Sequence, residues 1–139
     1  MGKVVVSAKI ENLLDLFHAS RGQLPSVDVR TVDVEDALVD TGATGFSVPR
    51  SLIEQLGLKA TRSRTVRTAN GVVAVQMFEA VQLTIRDRQC AIDVTEIADD
   101  CPVLIGQIAL ESLDFVVDLP NRRLIGNPEH GGEHMMEMF

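Results

Sequence analysis

The sequence predicts a mainly β domain, a small pseudo-symmetric barrel with one or two short helices. Three observations predict it. The chain has 139 residues with no Trp, no Tyr and five Phe, so aliphatic side chains must fill the core, and its many valines favour strands. Asn70-Gly71 stands between two extended runs, the strongest short-range hairpin signal. Finally, Ala37-Leu38-Val39-Asp40 and Val103-Leu104-Ile105-Gly106 echo one another. Each apolar run stops at a turn, each precedes a short helix, and they lie about half a domain apart.

The elements follow in order. Lys3 to Ile10 alternates as a strand with Val4, Val6, Ala8 and Ile10 on one face. Leu13 to Phe17 is denser and fits either more strand or one or two helical turns. Ser20 to Ser26 is loop, and Val27 to Val34 alternates again as a half-exposed strand. Glu35-Asp36 reads as a turn or bulge before the interior run that ends in Asp40. Pro49 to Gly57 is a helix, with Ser47 as a possible cap and Gly57 as its stop. Thr65 to Phe78 forms the hairpin, with a type I′ turn at Asn70-Gly71. Ala80 to Ile85 and Cys90 to Ile97 pair across Asp87-Arg88. Gln107 to Leu113 is a short helix with Ile108 and Leu110 or Leu113 inward. Strands at Asp114 to Asp118 and Arg123 to Ile125 close the pattern, and the Met-rich segment from Gly126 is a tail or a late strand used in association.

Composition narrows the function. A net charge of -7 argues against nucleic acid as the main partner, because phosphate binding needs clustered cations. Arg62, Arg64 and Arg67 form a local basic run, read as a solvated strand edge. No apolar stretch is long enough to span a membrane, and no secretory signal is read at the N-terminus. Gly2 lacks the Ser or Thr at position six that acylation there favours. A cytoplasmic, reducing setting follows, with Cys90 and Cys101 as free, buried thiols. Their spacing fits no metal site, and Gly131-Gly132 between His130 and His134 breaks the helix that a zinc pair would need. No metal and no cofactor is expected.

The residues that carry chemistry are Asp40-Thr41-Gly42-Ala43-Thr44. Taken with the Asn70-Gly71 hairpin, Val103-Leu104-Ile105-Gly106 and Leu113-Asp114-Phe115-Val116-Val117-Asp118, they resemble the retropepsin-like aspartic proteases, the retroviral enzymes and their small bacterial relatives. The resemblance covers about residues 30 to 126 of a single domain spanning 1–139, with 127–139 as a tail that a dimer interface could use. It implies a small closed acid-protease barrel with a flap hairpin. Asp40 would be the catalytic carboxylate, supported by Thr41, Gly42, Ala43 and Thr44. The flap would be Ala69, Asn70, Gly71 and Val72. Leu104, Ile105, Gly106 and Gln107 would cross behind the catalytic turn and brace it.

Peptide hydrolysis of this class needs two carboxylates sharing one proton. The chain holds one Asp-Thr-Gly, so the second carboxylate must come from another copy and the expected unit is a homodimer acting on peptide or unfolded protein. Where many retroviral enzymes pair an acid with an arginine behind the site, this chain has Thr44 and Gln107, for which a neutral hydrogen bond is the expected substitute. Two other readings stand beside this one: a non-catalytic dimeric peptide-binding module of the same fold, and a plain barrel in which Asp40 is a structural turn residue.

Overall fold

The computed structural model describes residues 3–138. Met1, Gly2 and Phe139, and with them the acylation question at Gly2, lie outside the described residues. Strand β1 (Val4–Asn12) buries Val4, Ala8 and Ile10 and leaves Val5 exposed, the alternation of a half-buried strand. It runs straight into helix α1 (Leu13–Ser20). The switch is made by Asn12, whose side-chain oxygen accepts the Asp15 N–H at 3.0 Å. Its amide donates to the Leu56 carbonyl at 2.8 Å, so one buried side chain starts α1 and ties it to the end of the next helix. The undecided stretch after Asn12 is therefore helix.

Strand β2 (Thr31–Val39) starts later than the alternation from Val27 suggests, because Ser26–Asp28 form a 3-10 turn. Glu35-Asp36 do form a bulge: Val6 pairs Ala37 and Ala8 pairs Val34, so two residues face one. Strand β3 (Phe46–Pro49) leads into helix α2 (Arg50–Leu56), which ends at Gly57 with φ +65°. Ser47 lies inside β3 and is not the cap; the helix receives its cap from a distant loop, where Asp99 accepts the Ser51 N–H at 2.8 Å.

Strands β4 (Ala60–Thr68) and β5 (Gly71–Ile85) make a long hairpin, and β6 (Arg88–Ile97) pairs the far half of β5. The hairpin turn differs from the expected one. Thr68 pairs Gly71, so Ala69-Asn70 are the loop residues, and positive φ falls on Gly71 (+114°) and not on Asn70. The Thr68 hydroxyl holds the turn by accepting the Asn70 N–H and donating to the Gly71 carbonyl. A side-chain bond has taken the place of the type I′ geometry. The chain then forms β7 (Leu104–Ile105), helix α3 (Gln107–Leu113), β8 (Phe115–Asp118) and β9 (Arg123–Gly126).

The main sheet has the order β1-β2-β7-β3-β6-β5-β4, and a further pairing of β1 with β5 curls it round on itself. Inside lie Ile10, Ala37, Phe46, Val48, Leu83 and Ile105, all at most 0% exposed, with α2 and α3 adding Ile53, Leu56, Leu110 and Leu113. The core is aliphatic apart from Phe46 and Phe115, as the composition demands. Strand β4 is an edge strand and carries Arg62, Arg64 and Arg67, which matches the solvated basic edge. Among the described residues no helix is long and apolar enough to cross a membrane.

Both cysteines are free, but only one is sheltered: Cys90 is half-buried and Cys101 is exposed. Burial pushes the Cys90 thiol up to about 11, which keeps it protonated and inert at neutral pH. Ile108 also differs from expectation. Leu110 and Leu113 turn inward while Ile108 stays 45% exposed, one helical face further round.

Candidate active site

Asp40 is the first residue beyond β2. Its position is fixed from behind by β7, which pairs β2 in parallel with Leu38 opposite Leu104 and Val39 opposite Ile105. The Asp40 N–H donates to the Ile105 carbonyl at 3.0 Å, and the Leu38 N–H to Val103 at 2.8 Å. The chain then turns sharply, with the Ala43 N–H bonded to the Asp40 carbonyl at 3.1 Å. Within this turn the Gly42 N–H donates to Asp40 Oδ1 at 3.0 Å. The carboxylate is thus aimed by backbone, while Asp40 stays partly open and Thr41, Gly42 and Thr44 are exposed.

An added Cβ would disturb the two glycines here in different ways. A Cβ on Gly42 would sit 3.3 Å from Asp40 Oδ1, tight enough to push the carboxylate aside. A Cβ on Gly106 would collide with the Gly45 carbonyl oxygen and come within 2.7 Å of the Ala43 carbonyl oxygen. Gly106 lies against the Asp40 turn so closely that its own N–H bonds the Gly45 carbonyl at 3.0 Å. Gln107 and Ile108 continue this seam, donating from their N–H groups to the carbonyls of Ala43 (2.9 Å) and Thr44 (3.0 Å). These are the first free N–H groups of α3, so the Asp40 turn also caps that helix.

The expected side-chain bond between Thr44 and Gln107 is not made. Gln107 Nε2 donates to Glu111 one turn along α3 at 3.2 Å, and the link between the two segments is carried by backbone. Where a backbone seam of this kind already joins the segments, a neutral side-chain pair adds little, and the short i, i+4 bond wins.

Ala69, Asn70, Gly71 and Val72 form the tip of the β4–β5 arm and are all exposed, Val72 by 63%. Beneath the arm is a cleft of about 740 Å3. Thr44 and Gly45 form one side, Val75 and Met77 of the arm another, and Ile92 and Ile108 the floor and rim. The cleft therefore begins where the Asp40 turn ends. Ile108 belongs to it, which explains its exposure; only the three-dimensional closeness of α3 and β6 reveals this.

A second polar cluster escaped the sequence reading. Asp114, at the C-terminus of α3 with φ +59°, is buried and accepts from Asn127 Nδ2 (3.2 Å) and the Met135 N–H (3.1 Å). His130 Nδ1 lies 2.7 Å from Asp114 Oδ2 and its Nε2 lies 3.1 Å from Glu137. The hydrogen bond with Asp114, then the one with Glu137, raises the His130 pKa, and the same bond with His130 lowers that of Asp114. Arg88 completes the cluster by donating to the carbonyls of Leu113, Asp114 and Gly132 while lying over the Phe115 ring. The tail is thus pinned to the body by its backbone and His130, with no strand, while Met135, Met136 and Met138 remain exposed. The Asn127 signal for a 3-10 turn was readable; the sequence separation between Arg88, Asp114 and His130 hid the rest. Among the described residues no group of three His, Cys, Asp or Glu side chains could hold a metal ion.

The family model described as aspartyl protease matches residues 21–117. The match runs from the loop before β2 into β8 and takes in the Asp40 turn, the arm, the cleft and the β7 seam. The chain belongs to the aspartyl protease family, in its retropepsin-like branch. A comparison with curated proteins gave no match.

Proposed function

We propose that this protein is a homodimeric, cytoplasmic aspartic endopeptidase in which two Asp40 carboxylates meet across a two-fold axis and activate a water against a peptide carbonyl. The observation that carries the reading is the Asp40 turn. A partly open carboxylate is aimed by the Gly42 N–H, locked from behind by Ile105, and set beside a cleft under a projecting arm. Family membership supports the reaction class, and the single Asp-Thr-Gly in the sequence supports the pairing. Two free thiols suit a reducing compartment.

In the pair, like charges held close cannot both ionise easily, so the two carboxylates share one proton. The ionised member takes a proton from the attacking water. The protonated member donates to the carbonyl oxygen, and a proton later reaches the leaving amine. Thr41, exposed next to Asp40, would use its hydroxyl to tie the two active-site turns together. The arm covers the bound peptide, and Gly42 leaves room for its backbone.

Asp40→Asn tests the reading. The purified chain is expected to cut an unfolded protein at mildly acidic pH, and the variant to lose that activity while keeping its circular dichroism and thermal transition. Equal cutting by the variant would remove Asp40 from the chemistry. Peptide binding without cutting by either protein would make the chain a binding module.

A further inference from the structure

The cleft under the arm is apolar on most sides but not electrically neutral. Val66, Val75, Met77, Ile92 and Ile108 supply the apolar lining. Arg64 and Arg67 reach it from β4, and Asp93 from β6 is its one acid among the described residues. Asp93 is already engaged, because Arg62 Nη2 lies 3.4 Å from its carboxylate. Neither Arg64 nor Arg67 forms an ion pair among the described residues. Two arginines therefore stand in the lining of an apolar cleft in a chain whose net charge is -7.

We propose that this cleft selects peptide substrates carrying an Asp or Glu side chain next to apolar residues, with Arg64 and Arg67 as the specificity-determining groups. The inference rests on the endopeptidase reading for the cut itself, but not for the binding preference. An arginine fork matches a carboxylate in geometry as well as charge. The apolar walls lower the local dielectric, which strengthens the pairing relative to open water. Both arginines stand on the arm, so a peptide held under it lies beside the strand that carries them. The selected side chain must be ionised, so the preference fades as pH falls through about 4, where Asp and Glu protonate.

The test uses the full chain and pairs of peptides that differ only in Glu against Gln beside a run of apolar residues. Binding is measured by fluorescence anisotropy on the Asp40→Asn variant, so no cleavage is needed, and cleavage is measured on the unaltered chain. The Glu peptide is expected to bind roughly five- to tenfold more tightly at pH 6, the scale of one or two partly exposed ion pairs, and to lose that advantage at pH 3.5. Adding Arg64→Glu and Arg67→Glu should reverse the order, whereas Arg64→Lys with Arg67→Lys should keep it. Equal binding of the two peptides, or an unchanged order after charge reversal, overturns the proposal. Binding with the expected preference but no cleavage by the unaltered chain overturns the endopeptidase reading and leaves the selection standing.

Discussion

Gly42 and Gly106 differ in what an added methyl would disturb. At Gly42 the neighbour is a side-chain oxygen at 3.3 Å, which can give way. Gly42→Ala is therefore expected to fold normally and to lose at least about tenfold in kcat/KM, since a displaced carboxylate spoils alignment long before it spoils packing. At Gly106 the neighbours are backbone carbonyls of the Asp40 turn, which cannot move without breaking the seam to α3. Gly106→Ala should lower stability by about 1–3 kcal/mol, and a urea titration checks it. Asp40 and both glycines were legible as a motif, because a short apolar run ending in a special turn residue is a local pattern. The absence of a Thr44–Gln107 side-chain bond was not. The bond was inferred from two side chains being neutral, and the backbone had already joined the two segments.

Among the elements, the helices show where sequence reading stops. The limits of α3 and the Gly57 end of α2 followed from period and stop signals. The start of α2 fell within one residue of the expected Pro49, but its side-chain partner did not follow: it is Asp99, 48 positions from Ser51, and no local pattern encodes a partner at that distance. Asp99→Ala should cost about 0.5–2 kcal/mol, seen as a lower Tm with unchanged circular dichroism, the usual effect of losing a helix cap. Likewise α1 is held by a fork that the sequence does not advertise. Arg30 Nε and Nη2 donate to the two oxygens of Asp15 at 2.8 and 2.9 Å, and the Arg30 N–H adds a third bond. The Arg30 side-chain bond, foremost, lowers the Asp15 pKa. That stabilisation is present above the ordinary carboxylate pKa and is lost as pH falls through the lowered folded value. The acid limb of a stability-pH curve is therefore expected to flatten in Asp15→Asn. An unchanged limb would show that the fork adds nothing.

On the scale of the whole molecule, the tail joins the domain through titratable groups. His130 is raised by Asp114 and then by Glu137, so its contribution is complete below about pH 6.5 and is lost as pH rises through the raised folded value. Asp114 is lowered by His130, so its contribution is complete above about pH 4 and is lost as pH falls through the lowered folded value. Attachment of residues 127–138 should be firmest between those limits. Hydrogen exchange at the Met135 N–H, which is bonded to Asp114, checks this: protection should drop on the alkaline side first. In His130→Gln the alkaline drop should disappear. If protection in the unaltered chain is flat across pH, the charges do not hold the tail.

The long strand β5 has a mechanical meaning. Its first half is one side of the arm, and its second half, with Val81, Leu83 and Ile85, is a wall of the core. Arm and body are thus one continuous ribbon. Register slips in both strands coincide at the root: β4 slips between Ala60 and Arg62, and β5 slips against β6 between Phe78 and Val81. Such an arm is a beam rooted in the core wall, and the two bulges at its root bend the ribbon and add twist there. In the proposed endopeptidase, a ribbon of that kind would give way by degrees and so fit peptides of differing thickness, a graded grip in place of an open-or-shut one.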